Sequence, residues 1–187
     1  MQAGALFPAL GALALTAPAL ASAQSIDPDE FLAFDRMNRI LNRTGSTHSS
    51  IMGRDAPCLY SHRSTQRLGD GVEVETRVAV DYADVDAAGA VAEPISAGSL
   101  QLVVPLREGA PPVRYDLTLY DITGKLHRTY IDKYGATCDG WYCDASTEAR
   151  DVYLTVTGDT AETDIDTVAE AVTDLAAFCA ARDSEGD

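Results

Sequence analysis

Between Gly69-Asp70-Gly71 and Tyr82 apolar and polar residues alternate. Val72, Val74, Val78, Val80 and Tyr82 are apolar, and Glu73, Glu75, Arg77 and Asp81 fall between them. A period of two sends successive side chains to opposite faces, so the stretch is predicted to be a strand with one buried and one wet face. Leu100, Leu102, Val104 and Leu106 repeat the alternation, with Pro105 marking a sheet edge or a strand end. Val113, Tyr115, Leu117 and Leu119 alternate with Arg114, Asp116 and Thr118, and Val152, Leu154 and Val156 form a last strand. Asp121-Ile122-Thr123-Gly124 reads as a hairpin loop followed by a return strand over about residues 125–134. Cys58-Leu59-Tyr60 begins a short strand, residues 43–57 are predicted loop, and the Ala- and Gly-rich residues 86–98 are a long connection.

Two segments follow the helical period instead. Asp27-Pro28-Asp29-Glu30 is a helix start, with Asp27 as N-cap, Pro28 in the first turn and Glu30 completing a capping box. Phe31, Phe34, Met37 and Leu41 then give a helix over about residues 28–42, ended by Gly45. Near the C-terminus, Asp159 or Thr160 caps a helix in which Ile165, Val168, Val172, Leu175 and Cys179 form one apolar stripe. The fold expected is α+β: an antiparallel sheet of about five strands in meander order, covered by an N-terminal and a C-terminal amphipathic helix.

Residues 1–23 carry no charged side chain. The apolar run Ala5–Leu20 followed by Ala21-Ser22-Ala23 is expected to be a signal peptide, although the segment lacks the usual basic residue at its start. Pro8 and Pro18 argue against the rival reading, a membrane anchor. The mature chain, residues 24–187, is then a single domain placed in the periplasm or secreted. In that oxidising setting the four cysteines, Cys58, Cys138, Cys143 and Cys179, imply two disulfides, for which three pairings exist. Cys138 and Cys143 flank an Asp-Gly turn and make the natural short staple, leaving Cys58 with Cys179. Closing a loop that long is worth on the order of 4–5 kcal/mol in the chain-entropy picture. A redox C-x-x-C is absent, and no second Cys pair or close His pair completes a zinc site.

The chain has 14 Lys plus Arg against 29 Asp plus Glu, a formal charge of −15. That excludes a general nucleic-acid binder and docking on anionic lipid. The charge is uneven. Residues 24–69 hold six bases and five acids, whereas residues 70–187 hold 8 bases and 24 acids. The Arg-rich N-terminal part is expected to dock onto the acidic body, and the acidity acts as a solubility device.

No motif names a reaction or a cofactor. G-x-S-x-G, H-E-x-x-H, a phosphate loop and a dinucleotide fingerprint are all missing. Asp84-Val85-Asp86 opens like a calcium loop but lacks its later ligands. Two constellations remain. Arg36, Arg39 and Arg43 form a basic stripe that would grip a small anion, or pair with the protein's own acids. Tyr120, Tyr130, Tyr134, Trp141 and Tyr142 cluster around the second hairpin, where aromatics stack on a sugar or grip a peptide, or else serve as sheet pairs. The expected function is a non-catalytic binding or interaction module whose partner is a protein, a glycan or a small anion. The alternatives are an exported hydrolase using His48 or His62 and a structural envelope protein. A pocket holding His62 and a carboxylate would favour the hydrolase, and an exposed aromatic patch would favour binding. A buried Trp141 with satisfied histidines would favour a structural role.

Overall fold

A computed structural model of the chain describes residues 26–42 and 48–185. The expected signal peptide, Arg43 and Gly45 lie outside the described residues. In chain order the elements are α1 (Pro28–Leu41), β1 (His48–Ala56), β2 (Leu59–Gly69), β3 (Val72–Asp81), β4 (Val91–Ser96), β5 (Ser99–Pro105), β6 (Val113–Asp121), α2 (His127–Tyr134), β7 (Thr137–Asp139), β8 (Tyr142–Ala149), β9 (Asp151–Thr157) and α3 (Ala161–Glu185). The class is α+β with antiparallel sheets. Five strands in one meander are replaced, among the described residues, by nine in two sheets, ordered β1-β2-β3-β6-β8-β7 and β4-β5-β9. The meander breaks after β3 because the hairpin β4–β5 leaves for the smaller sheet, so β6 returns to pair with β3.

Three local expectations change. Residues 48–56 are strand rather than loop, since their small polar side chains pair directly with β2, for example Ser50 opposite Ser64. The connection over 86–98 contains β4, whose residues are all exposed because it is the edge strand of the smaller sheet. Residues 127–134 are helix rather than a return strand. Asp121 explains this. Its buried carboxylate accepts from Thr123 N (2.8 Å), Thr123 Oγ1 (2.6 Å), Gly124 N (3.1 Å) and Leu126 N (2.8 Å), curling the chain out of the sheet. Burial alone would raise its pKa, but these donors hold it at about 2. Arg128 then pairs with Asp132 one turn on, and Gly135 at φ +64° closes α2 by accepting the left-handed conformation.

The described part of α1 begins as expected, with Asp27 accepting from Asp29 N at 2.9 Å and Pro28 in the first turn. Its buried face, however, is Glu30, Ala33, Met37 and Leu41, and Phe31 is exposed. Glu30 does not complete a capping box. It is turned inward, fully buried, and accepts from Arg54 Nε (2.9 Å), Arg54 Nη2 (3.1 Å), Cys58 N (3.1 Å) and the Tyr60 hydroxyl (2.7 Å). The expected stripe of α3 is buried from Ile165 to Cys179, and α3 packs against α1 and β5. These helices share one core with both sheets, including Tyr60, Val80 and Tyr82 from the larger and Leu102, Val104 and Leu154 from the smaller. A second, smaller cluster lies toward the other end of the large sheet. There Leu119, Ala136 and Cys143 pack with Val74, Leu126 and Tyr130 beneath α2.

Cys58 joins Cys179 and Cys138 joins Cys143. Cys58 sits in the two-residue turn between β1 and β2 with φ +62°, after Pro57. That conformation costs a non-glycine residue on the order of 1–2 kcal/mol. Here it is held on every side: its amide donates to Glu30, its carbonyl accepts from Tyr82 N (2.9 Å), and its sulfur is bonded to α3.

Burial raises the Glu30 pKa and the hydrogen bonds from Arg54, Cys58 and Tyr60 lower it further, leaving it below the ordinary carboxylate value. Its contribution is therefore complete above the unfolded glutamate pKa and is lost as pH falls through the folded one. Arg54→Ala leaves a buried charge without its cation and is expected to cost about 3–5 kcal/mol at neutral pH. The deficit should shrink as Glu30 is protonated in acid. Urea unfolding of both proteins at neutral and acidic pH checks this, and a neutral-pH loss below about 1 kcal/mol would mean that water replaces the guanidinium.

Candidate functional site

The large sheet divides the aromatic cluster that lies close together in sequence. Tyr120 on β6 stands directly opposite Tyr142 on β8, on the face away from the core, with ring centroids 5.0 Å apart. Trp141, in the β7–β8 turn, meets Tyr120 edge-on at 6.4 Å. Tyr120 and Tyr142 are thus a cross-strand ring pair, and Trp141 and Tyr142, 58% and 52% exposed, leave the outer face of the group open as a platform. Tyr130 and Tyr134 belong elsewhere. They sit on α2 beneath the other face, 5.3 Å apart, with Tyr130 packed on the second cluster and Lys133 over the Tyr134 ring.

The platform has a rigid mounting. Cys138 and Cys143 face each other across β7 and β8, and their disulfide closes the hairpin that presents Trp141. The Trp141 carbonyl accepts from Asp121 N at 2.8 Å, tying the turn to β6. Asp139 and Asp144 flank it, the latter accepting from Thr118 Oγ1 at 2.8 Å. Farther along the same face lie cross-strand ion pairs, Arg67 with Glu73, and Arg63 and Arg77 with Glu75.

Arg36 pairs with Asp174 of α3, and Arg39 pairs with Asp35 at 2.6 Å. Arg43 lies outside the described residues. Arg54 is committed to Glu30. Each described arginine of the N-terminal group thus has an acidic partner, and the structure does not bring them together around a shared cavity.

His48 and His62 occupy strands β1 and β2, not a polar loop. Both line a cavity of about 50 Å³ with Ser50, Ser64, Thr76 and Tyr115. That volume holds a few waters, against roughly 300 Å³ or more for an ordinary small-molecule pocket. The Ser50 hydroxyl is engaged by the Leu41 carbonyl. His62 Nε2 lies 3.0 Å from the Tyr82 hydroxyl, and burial pushes its pKa down to about 4. Burial also lowers His48. No carboxylate is found among the described residues lining this cavity.

One group escaped the reading of the sequence. His127 at the start of α2 comes together with Cys138 and Cys143, with one ligand atom from each lying within 4.8 Å of the others. While the disulfide is intact the sulfurs are bonded to each other and offer no thiolate. Reading residues 125–134 as a strand hid this approach, since only the curl at Asp121 brings His127 under the hairpin.

Comparison of the chain with protein-family models, with curated proteins and with solved structures gives no match.

The His62 shift has a consequence for stability. The unfolded chain takes up a proton near pH 6.5, whereas folded His62 stays neutral until about pH 4. Stability is therefore fully present above pH 6.5 and falls as pH drops from there toward 4, by on the order of 3 kcal/mol. His62→Gln should flatten this part of the stability–pH curve, measured by urea unfolding between pH 7 and 4. An unchanged slope in the variant would assign the loss to other groups.

Proposed function

We propose that this chain is an exported, non-catalytic binding module that uses Tyr120, Trp141 and Tyr142 as its contact surface. The reading places the mature protein in the periplasm or outside the cell, after removal of residues 1–23. The observation that carries it is the exposure of Trp141 and Tyr142 on a disulfide-closed hairpin. Rings held in place before binding lose little conformational freedom on contact, and such residues dominate binding surfaces. Two disulfides suit an oxidising compartment, and no helix among the described residues is long and apolar enough to cross a membrane.

The partner fits the platform's chemistry: a sugar ring or a peptide side chain that stacks, with Asp139 and Asp144 within the same hairpin to accept hydrogen bonds. A hydrolytic role using His62 is supported less well, because its cavity is small, its described lining lacks a carboxylate and Ser50 is engaged. A purely structural role is supported less well by an exposed Trp141.

Trp141 is the only tryptophan of the chain, so its emission reports on the platform without interference. Titration of the oxidised protein with panels of oligosaccharides and peptides should shift or quench that emission for one class. Trp141→Ala should then weaken binding, followed by calorimetry, by about tenfold or more. Emission unchanged across both panels would overturn the reading.

A further inference from the structure

A second chemistry is built beneath the hairpin, on the face opposite the platform. Cys143 is fully buried and Cys138 is half-buried, both within the cluster formed by Leu119, Leu126 and Ala136. A ring nitrogen of His127 lies within 4.8 Å of both sulfurs. Independently, His127 Nε2 is buried and has no hydrogen-bond partner among the described residues. Buried polar atoms are nearly always satisfied, so an unpartnered ring nitrogen on a histidine beside two sulfurs points to a ligand.

We propose that reduction of the Cys138–Cys143 bond turns this cluster into a Cu(I) site with two thiolates and the His127 imidazole as ligands. The reductant is a dithiol. One of its thiolates attacks the sulfur of Cys138, the less buried of the two residues, and Cys143 leaves as the thiolate. The second thiol of the reductant then displaces Cys138 and departs as a cyclic disulfide. Two electrons have moved to the protein, and the two cysteine protons are released to solvent when the metal binds. The other disulfide is less open to this attack, since Cys58 is 5% and Cys179 0% exposed in the main core.

The donor set selects the metal. Thiolate and imidazole suit Cu(I) and Zn²⁺ alike, but zinc takes four ligands and copper(I) is satisfied by three. The cluster supplies three among the described residues. The Asp121 carboxylate is already occupied by Thr123, Gly124 and Leu126, and the side chains packed on the cluster are mainly apolar, so no fourth protein ligand is offered among the described residues.

The test is to treat the mature oxidised protein with a dithiol and desalt it without oxygen. Alkylation mapping confirms that Cys138 and Cys143 alone are free. Cu(I) is then added in competition with a coloured bidentate copper chelator. One Cu(I) per reduced chain and none per oxidised chain is expected. His127→Ala should lower the affinity about tenfold or more, and Cys138→Ser with Cys143→Ser should abolish retention. Absence of copper on the reduced protein, equal affinity after His127→Ala, or retention by the double serine variant would overturn the proposal. Preference for Zn²⁺ over Cu(I) would overturn the choice of metal. Should His127→Ala fail to fold, X-ray absorption of the loaded native protein decides: two sulfurs and one nitrogen at copper support the site, and a sulfur-only shell sinks it. None of these outcomes depends on the aromatic platform binding a partner.

Discussion

Glu30 is a charged group placed where water does not reach, and four donors from three residues converge on it. Moving a carboxylate into such a place costs several kcal/mol unless the charge is matched and hydrogen-bonded. The match comes from the β1–β2 hairpin, through Arg54, the Cys58 amide and Tyr60. Helix α1 and this hairpin therefore have little freedom to shift against each other, because any slip uncovers a charge. Cys58 extends the constraint. Its carbonyl takes the amide of Tyr82 just after β3, and its sulfur holds Cys179 in the C-terminal part of α3. One residue in a left-handed turn thus ties α1, the large sheet and α3 together. The aromatic contacts of Tyr60 with Phe34 and Tyr82 fill the space around that junction.

With this end of the sheet fixed, both proposed sites lie toward the other end. The same strands that bury Val78 and Tyr115 in the main core bury Leu119 in the second cluster and pack Val74 against it. Their opposite faces bear the ion pairs and the aromatic platform. The sheet is then a partition: stacking rings on one side, and sulfur and imidazole on the other. The hairpin β7–β8 belongs to both, which is why its disulfide supports the presentation of Trp141 while also determining whether the sulfurs can serve as ligands.

The uneven charge gains a structural meaning. Arg36 with Asp174, Arg63 with Glu75 and Arg67 with Glu73 each join the near-neutral N-terminal part to the acidic remainder. Exposed pairs of this kind contribute only about 0.2–1 kcal/mol each. They lower the self-repulsion of a chain carrying −15 without being what holds it together, a task left to the buried Glu30–Arg54 pair and the disulfides.

Elements whose side chains repeat with a clear period are legible from the amino acids alone. The strands around Val72–Val80, Leu100–Val104, Val113–Leu119 and Val152–Val156, and the stripe of α3, all stand where alternation or the 3.6-residue period puts them, since one buried face is enough to write that pattern. Spacing also singled out Cys138 with Cys143, and elimination left Cys58 with Cys179. Tertiary structure decided what periodicity cannot encode. β1 is strand because β2 pairs with it, not because Ser and Gly favour strands. β4 is strand only by its hydrogen bonds to β5. Residues 127–134 are helix because Asp121 turns the chain, a buried carboxylate that reads in sequence as one more loop acid; Arg128, Asp132 and Gly135 were the available signal. Glu30 looked like a helix cap because capping and burial call for the same residue one turn into a helix, and only the position of Arg54 separates them. The aromatic group was visible as a cluster, but a sheet has two sides, and which rings share one is settled by pairing register. The meeting of His127 with two cysteines is a fact of three-dimensional approach, for which sequence distance carries no information.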